Sequence, residues 1–173
     1  MNHKALIVRL ESFVPVLPAL LSKVTPEDAA WKPPSGAWSI LEIVNHLVDE
    51  EVEDFRQRLR LLIEDPSAPW PPTDPEAWAS KRKYNTRDLW ESVGRFIVER
   101  KRSVEWLATL GDGTNWNATR ALPSGRTIRA GDLLCSWAAH DALHVRQIAK
   151  RQYEMSLRDS AGFSGEYAGE WKA

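Results

Sequence analysis

His140 and His144 stand four residues apart in the run Trp137-Ala138-Ala139-His140-Asp141-Ala142-Leu143-His144, which is strongly helical in character. Residues four apart share one helix face, with Cβ atoms about 5–6 Å apart. Two imidazoles so placed can grip one metal ion at Zn–N distances of about 2.0–2.1 Å. A third histidine, His46, lies in a separate helical run from Trp38 to Leu47. If the fold brings it to the pair, three nitrogen ligands leave a coordination position open, which is the pattern of a reactive metal site. The competing reading is that these histidines are core or solvated residues with no ligand role. Ideal-helix arithmetic puts His46 roughly 160° from the centre of its helix's apolar stripe, and the pair roughly 120–160° from theirs. That placement predicts a groove between helices rather than a sealed interior.

Other groups could join such a site. Glu50 follows His46 by four residues and shares its face. It could orient an imidazole, act as a fourth ligand or serve as a general base. Equally, it could be a solvated acid in the acidic run Asp49–Asp54, and the run itself favours that. Asp49 is a weaker candidate for the same work. Asp141 points away from His140 and is expected in a surface salt bridge. Cys135 is expected to be an inert core thiol, and His3 to be irrelevant at a fraying terminus. Trp38 reads as structural, while Trp137 suits a pocket wall or a core position equally. Arg82, Lys83 and Arg87 could meet an anionic substrate, although a solvated patch is the simpler reading.

The elements that must position these residues follow from hydrophobic spacing. Leu6, Leu10, Phe13, Leu17 and Leu20 repeat at helical intervals, but Pro15 and Pro18 predict a kinked or broken first helix. Thr25-Pro26 starts a short helical turn. Ser39 and Glu42 form an S-x-x-E capping box for the second helix, which continues through Leu41, Val44, Val48, Val52, Phe55, Leu59 and Leu62 to Asp65-Pro66. Residues 66–84 carry five prolines and two tryptophans and read as an ordered loop. Asn85 or Thr86 is expected to cap a third helix with Leu89, Val93, Phe96, Val104 and Leu107 inside and Gly111 at its end. Pro123-Ser124-Gly125-Arg126 reads as a turn between two short strands. Thr127 is expected to cap a fourth helix with Leu134, Ala138, Ala142, Val145 and Ala149 as its inner stripe. Phe163, Tyr167 and Trp171 form one aromatic face in the tail, in a segment weakened by three glycines. The result is an all-α four-helix bundle over residues 1–152, with a tail over 153–173 packing on the bundle or at a dimer interface.

Composition narrows the function classes. A net charge of −1 gives no electrostatic footprint for nucleic acid. No apolar run approaches the roughly 18 residues of a membrane span. The single cysteine cannot form an internal disulfide, and the N-terminus does not read as a signal peptide, so a cytoplasmic protein is expected. Nine tryptophans are unusual for this length; several could line a partly wet cavity, because each indole N–H needs a partner.

The segment Pro34 to Ile40 leading into His46-Leu47, together with His140-x3-His144 near the end of the bundle, resembles the DinB-like four-helix-bundle family. That family includes thiol S-transferases and mycothiol-dependent maleylpyruvate isomerases. The resemblance covers residues 4–152. It implies that His46, His140 and His144 bind a divalent metal, zinc or nickel, and that the chain forms a homodimer. It also implies transfer of a small thiol to an electrophilic substrate. From the chemistry alone, a metal that acidifies a coordinated thiol or water serves two reactions. One is thiol transfer; the other is hydrolysis, with Glu50 taking the proton. A third expectation belongs to another class, a non-catalytic dimeric helical bundle.

Overall fold

A computed structural model describes residues 1–172. The first helix is broken at Pro15, as its prolines predict: α1 spans His3–Ser12 and α2 spans Val16–Leu21. Thr25 caps the short α3, Pro26–Ala30, accepting from the Asp28 N–H. Ser39 and Glu42 complete a reciprocal capping box at the start of α4, Ile40–Asp49. Ser39 is fully buried and its Oγ also donates to Asn85 Oδ1 at 2.5 Å, which ties the start of α4 to the chain before the third long helix.

The second helix does not run on as a plain α-helix. Residues Glu50–Phe55 form a π-helical segment, after which α5 resumes over Arg56–Glu64. A π-turn inserts extra residue length without breaking the helix. Its effect on register is plain in the burial. Glu50, Glu51 and Asp54 are all buried, while Val52, expected on the inner stripe, is only half-buried.

Residues 66–84 are less of a loop than expected. Pro75–Lys81 form α6, capped by Asp74, and Tyr84–Thr86 form a 3-10 turn. The third long helix, α7, spans Leu89–Ala108, and its cap is Asp88, not Asn85 or Thr86. Asn85 instead binds Ser39 and the carbonyl of Ala30. The expected hairpin is present as β1, Thr119–Ala121, paired antiparallel with β2, Thr127–Arg129. Thr127 lies within β2, and it is Arg129, with Asp132, that caps the last helix. That helix, α8, runs over Ala130–Arg158, past the expected boundary at residue 152.

The inner stripe of α8 also differs from expectation. Ala142 is exposed, and Ala138, Val145 and Ala149 are only half-buried. The buried positions are Ala130, Leu133, Leu134, Trp137, Asp141, His144, Ile148, Arg151 and Met155. Three of these are polar or charged, which hid the stripe from a reading based on apolar residues. Cys135 lies on the outer side and is exposed, not in the core. The tail forms no aromatic helix face. It holds one 3-10 turn at Glu166–Ala168 and leaves Phe163 and Tyr167 in solvent.

The four-helix bundle is formed by α1 with α2, by α4 through α5, by α7 and by α8. Its interior has two apolar clusters. One gathers Leu17, Leu21, Ile40, Val44, Phe96 and Ile148. The other gathers Leu10, Leu59, Leu62, Leu107, Leu134 and Trp137. Between them lies a buried polar layer comprising His46, Glu50, Glu51 and Asp54 from the second helix, Arg100 from α7, and Asp141 and His144 from α8. Among the described residues no helix is long and apolar enough to cross a membrane.

Candidate metal centre

The polar layer brings the three histidines together. Each can offer one ring nitrogen such that all three lie within 4.8 Å of one another. The ring centroids of His46 are 4.7 Å from His144 and 5.4 Å from His140, and the His140 and His144 rings are 4.2 Å apart. The Nε2 atoms of the pair face each other at 2.9 Å. An ion bonded to each at about 2.0–2.1 Å needs nitrogens roughly 3–3.5 Å apart, so ring movements of about an ångström complete the set.

The surroundings are more enclosed than the predicted groove. His46 and His144 are buried and His140 is half-buried. Trp38 covers His46 at 4.9 Å between ring centroids, and Phe55 meets the edge of His140 at 5.0 Å. Trp137 stacks on Phe55 behind the site and is a core residue, with its indole N–H donating to Glu51 at 3.0 Å.

Burial sets the protonation of the rings. Loss of hydration, with the neighbouring imidazole His144, lowers the His46 pKa to about 3. Burial and the two other rings lower His140 to about 2, and burial lowers His144 as well. All three are therefore neutral at physiological pH, the state in which imidazole binds a metal. His144 Nδ1 is 2.8 Å from Gln147 Oε1. With the proton on Nδ1 donating to that oxygen, the Nε2 lone pair points to the shared centre. His46 Nδ1 is buried without a hydrogen-bond partner, an arrangement that costs free energy unless something binds the atom. The donor set and this orphaned nitrogen both fit a divalent cation.

Glu50 is not a solvated acid. It is 6% exposed, and its Oε1 lies 4.0 Å from His46 Nδ1 and has no hydrogen-bond partner. Burial and the nearby carboxyl of Asp54 push its pKa up to about 8. Asp54 is held in turn by Arg58 Nη1 at 3.0 Å, and Arg58 also donates to Thr73 Oγ1 at 2.6 Å. His46, Glu50, Asp54 and Arg58 thus form a chain with four-residue spacing along one helix.

The remaining candidates have other tasks. Asp49 is buried and accepts from Tyr84 Oη at 2.5 Å and Arg82 Nη1 at 2.6 Å. Arg82 is stacked on Trp78 and also bound to Glu53, and Arg87 donates to Asn45 Oδ1 at 2.8 Å, so neither is free to meet a substrate. Lys83 is exposed in a left-handed turn. His3 stacks on Trp116, away from the site. Asp141 makes no surface salt bridge. It is buried and takes two hydrogen bonds from Arg100, at 2.6 and 2.8 Å. Arg100, 1% exposed, also binds Glu51 through Nε at 3.0 Å and the carbonyl of Leu10. Sequence reasoning missed this network, and also Gln147. The available signal was position: Asp141 continues the stripe of Leu133 and Trp137 at four-residue steps.

The profile of the DinB superfamily matches residues 10–148, which span both histidine-bearing helices. The chain belongs to the DinB superfamily. No curated protein sequence matches it. Among solved structures it is similar to YfiT from Bacillus subtilis, described as a probable metal-dependent hydrolase with an unusual four-helix bundle topology. That likeness has a TM-score of 0.79 at 20% identity and covers 90% of this chain and 88% of YfiT. At such identity the match establishes the DinB-type fold.

Proposed function

We propose that His46, His140 and His144 hold a divalent cation, zinc or nickel, and that Glu50 handles the proton in a hydrolytic reaction on a small molecule. The observation that carries this reading is the buried, unpartnered Glu50 Oε1 beside His46. A hydrolase needs a group that moves a proton next to the metal, whereas a thiolate delivered by a cosubstrate has less use for one. The likeness to YfiT supports the same choice.

The cation, when bound, would polarise the substrate's carbonyl group, making its carbon more electrophilic, and would make a water acidic at neutral pH. The chain's own residues supply the rest. Gln147 fixes the His144 tautomer and ring orientation. Trp38 and Phe55 screen the imidazoles from bulk water, which strengthens local electrostatics. Glu50, raised to about 8 without a cation, would ionise beside the bound cation's positive charge, take a proton on Oε1 and return it to the leaving group. Asp54 stabilises the protonated form of Glu50, and Arg58 anchors Asp54.

The test is Glu50→Gln, assayed with a panel of activated esters and amides on metal-loaded protein. Turnover is expected to fall by roughly 10²–10⁴-fold, the usual contribution of a positioned acid or base, while metal content stays equal to the parent's. Undiminished hydrolysis in this variant would falsify the assignment of Glu50. Thiol transfer, implied by the family resemblance, is distinguished by adding a low-molecular-weight thiol with a chlorinated or epoxide electrophile. Thiol consumption that is abolished by His140→Ala but untouched by Glu50→Gln would replace hydrolysis with transfer.

A further inference from the structure

Along one flank of α8, reaching from exposed Leu143 to buried Arg151, a pocket of about 350 Å³ is lined by Leu143, Arg146, Gln147, Lys150, Arg151 and Trp171. The five α8 residues follow helical spacing and so share one face. The sixth comes from the tail, whose Trp171 packs near Tyr153 at 5.7 Å between ring centroids. The volume falls in the range of small-molecule sites.

The chemistry of the lining is uneven in a telling way. It contains three cations and no carboxylate. Among the described residues neither Arg146 nor Lys150 has an ion-pair partner. Arg151 is 5% exposed; its Nη1 binds Glu154, but its Nε is buried with no acceptor. A buried guanidinium N–H without an acceptor is costly, and the Arg151 side chain that carries it is part of the pocket wall. The lining also includes the Trp171 ring and the Leu143 side chain, which supply its apolar surface. Gln147 joins the pocket to the histidine centre, because the same side chain meets His144 Nδ1.

We propose that this pocket binds a small organic anion, a carboxylate carried on an apolar or aromatic body. Arg146, Lys150 and Arg151 take the carboxylate, and Trp171 and Leu143 take the body. The proposal does not depend on the metal or on hydrolysis.

The experiment uses the whole 173-residue chain labelled with ¹⁵N, with the Trp171 indole resonance assigned from Trp171→Phe. Benzoate is titrated as probe, with neutral benzamide and inorganic phosphate as controls. The expected result is a saturable shift of the Trp171 resonance with benzoate, and binding about tenfold weaker for each control, the factor set by one lost charge or apolar contact. The double variant Arg146→Gln/Lys150→Gln changes two solvent-accessible positions and should keep its fold, checked by its melting curve. It should weaken benzoate by at least a similar factor. No shift at millimolar benzoate overturns the proposal, as does equal affinity for benzamide or in the double variant. Phosphate binding as tightly as benzoate overturns the assignment of an apolar body.

Discussion

Arg100 holds Asp141 with two parallel hydrogen bonds, and Asp141 is the residue after His140. The same guanidinium holds Glu51, the residue after Glu50. One buried arginine on α7 therefore fixes the rotation of both helices that carry the candidate centre.

Removing that arginine strands two buried carboxylates. Arg100→Met is expected to destabilise the fold by about 3–5 kcal/mol, the usual cost of breaking a buried ion pair on one side. Denaturant melts check this. The triple variant Arg100→Met/Glu51→Gln/Asp141→Asn should recover much of the loss, because no uncompensated charge remains.

Protonation gives a signed prediction for metal-stripped protein. His46 and His140 bind protons less readily when folded, at about 3 and about 2 against 6.5. Below pH 6.5 the unfolded chain therefore binds more protons at these rings, and their contribution to stability is lost as pH falls towards 3. Glu50 has the opposite sign, about 8 folded against 4.5. Its contribution is present below 4.5 and is lost as pH rises towards 8. By about pH 7.5 the unfolded rings, with their ordinary value of 6.5, have also shed nearly all their protons, so between there and pH 8 the histidine contribution is flat and Glu50 dominates the comparison. Stability measured by urea melts should decline across that window in the parent and decline less in Glu50→Gln.

Metal addition should stabilise the protein. Zinc or nickel at one hundred times its dissociation constant adds about 2.7 kcal/mol if the unfolded chain does not compete. Differential scanning fluorimetry on untagged, chelator-treated protein should show a rise in Tm that His144→Ala abolishes. An unchanged Tm with either metal removes the centre from consideration.

The cap at Ser39 is a further point of leverage. Ser39→Ala removes an acceptor for the Glu42 N–H and a donor to Asn85. A loss of about 1–2 kcal/mol is expected, the upper part of the range for cap removal. Equilibrium unfolding measures it.

The expected homodimer is testable by sedimentation. Trp90 and Val98 are each 48% exposed on α7, which supports a covered surface in solution. A lone species near the monomer mass of 19.7 kDa would end that proposal.

The bundle, the broken first helix, the capping box and the hairpin were legible because proline, cap and turn chemistry act locally. The convergence of the histidines rested on a family resemblance, since spacing within one helix cannot place a residue on another. What resisted reading was burial of charge. Asp141 and Arg151 occupy the inner stripe of α8 because partners from elsewhere in the chain, or from the next turn, neutralise them, whereas apolar spacing alone points to Ala142. Glu50 and Glu51 looked solvated for the same reason. The π-turn that buries them arises in an acidic run with no proline or glycine to announce it.

That turn acts as a phase adjuster. Each residue of an α-helix advances the chain by about 100°, so upstream His46 and downstream Leu59 and Leu62 can all face inward only if the extra angle is absorbed between them. Shortening Glu50–Phe55 by a single residue would force a choice: keep the imidazole aimed at α8 and turn the leucines to water, or keep the leucines and lose the imidazole.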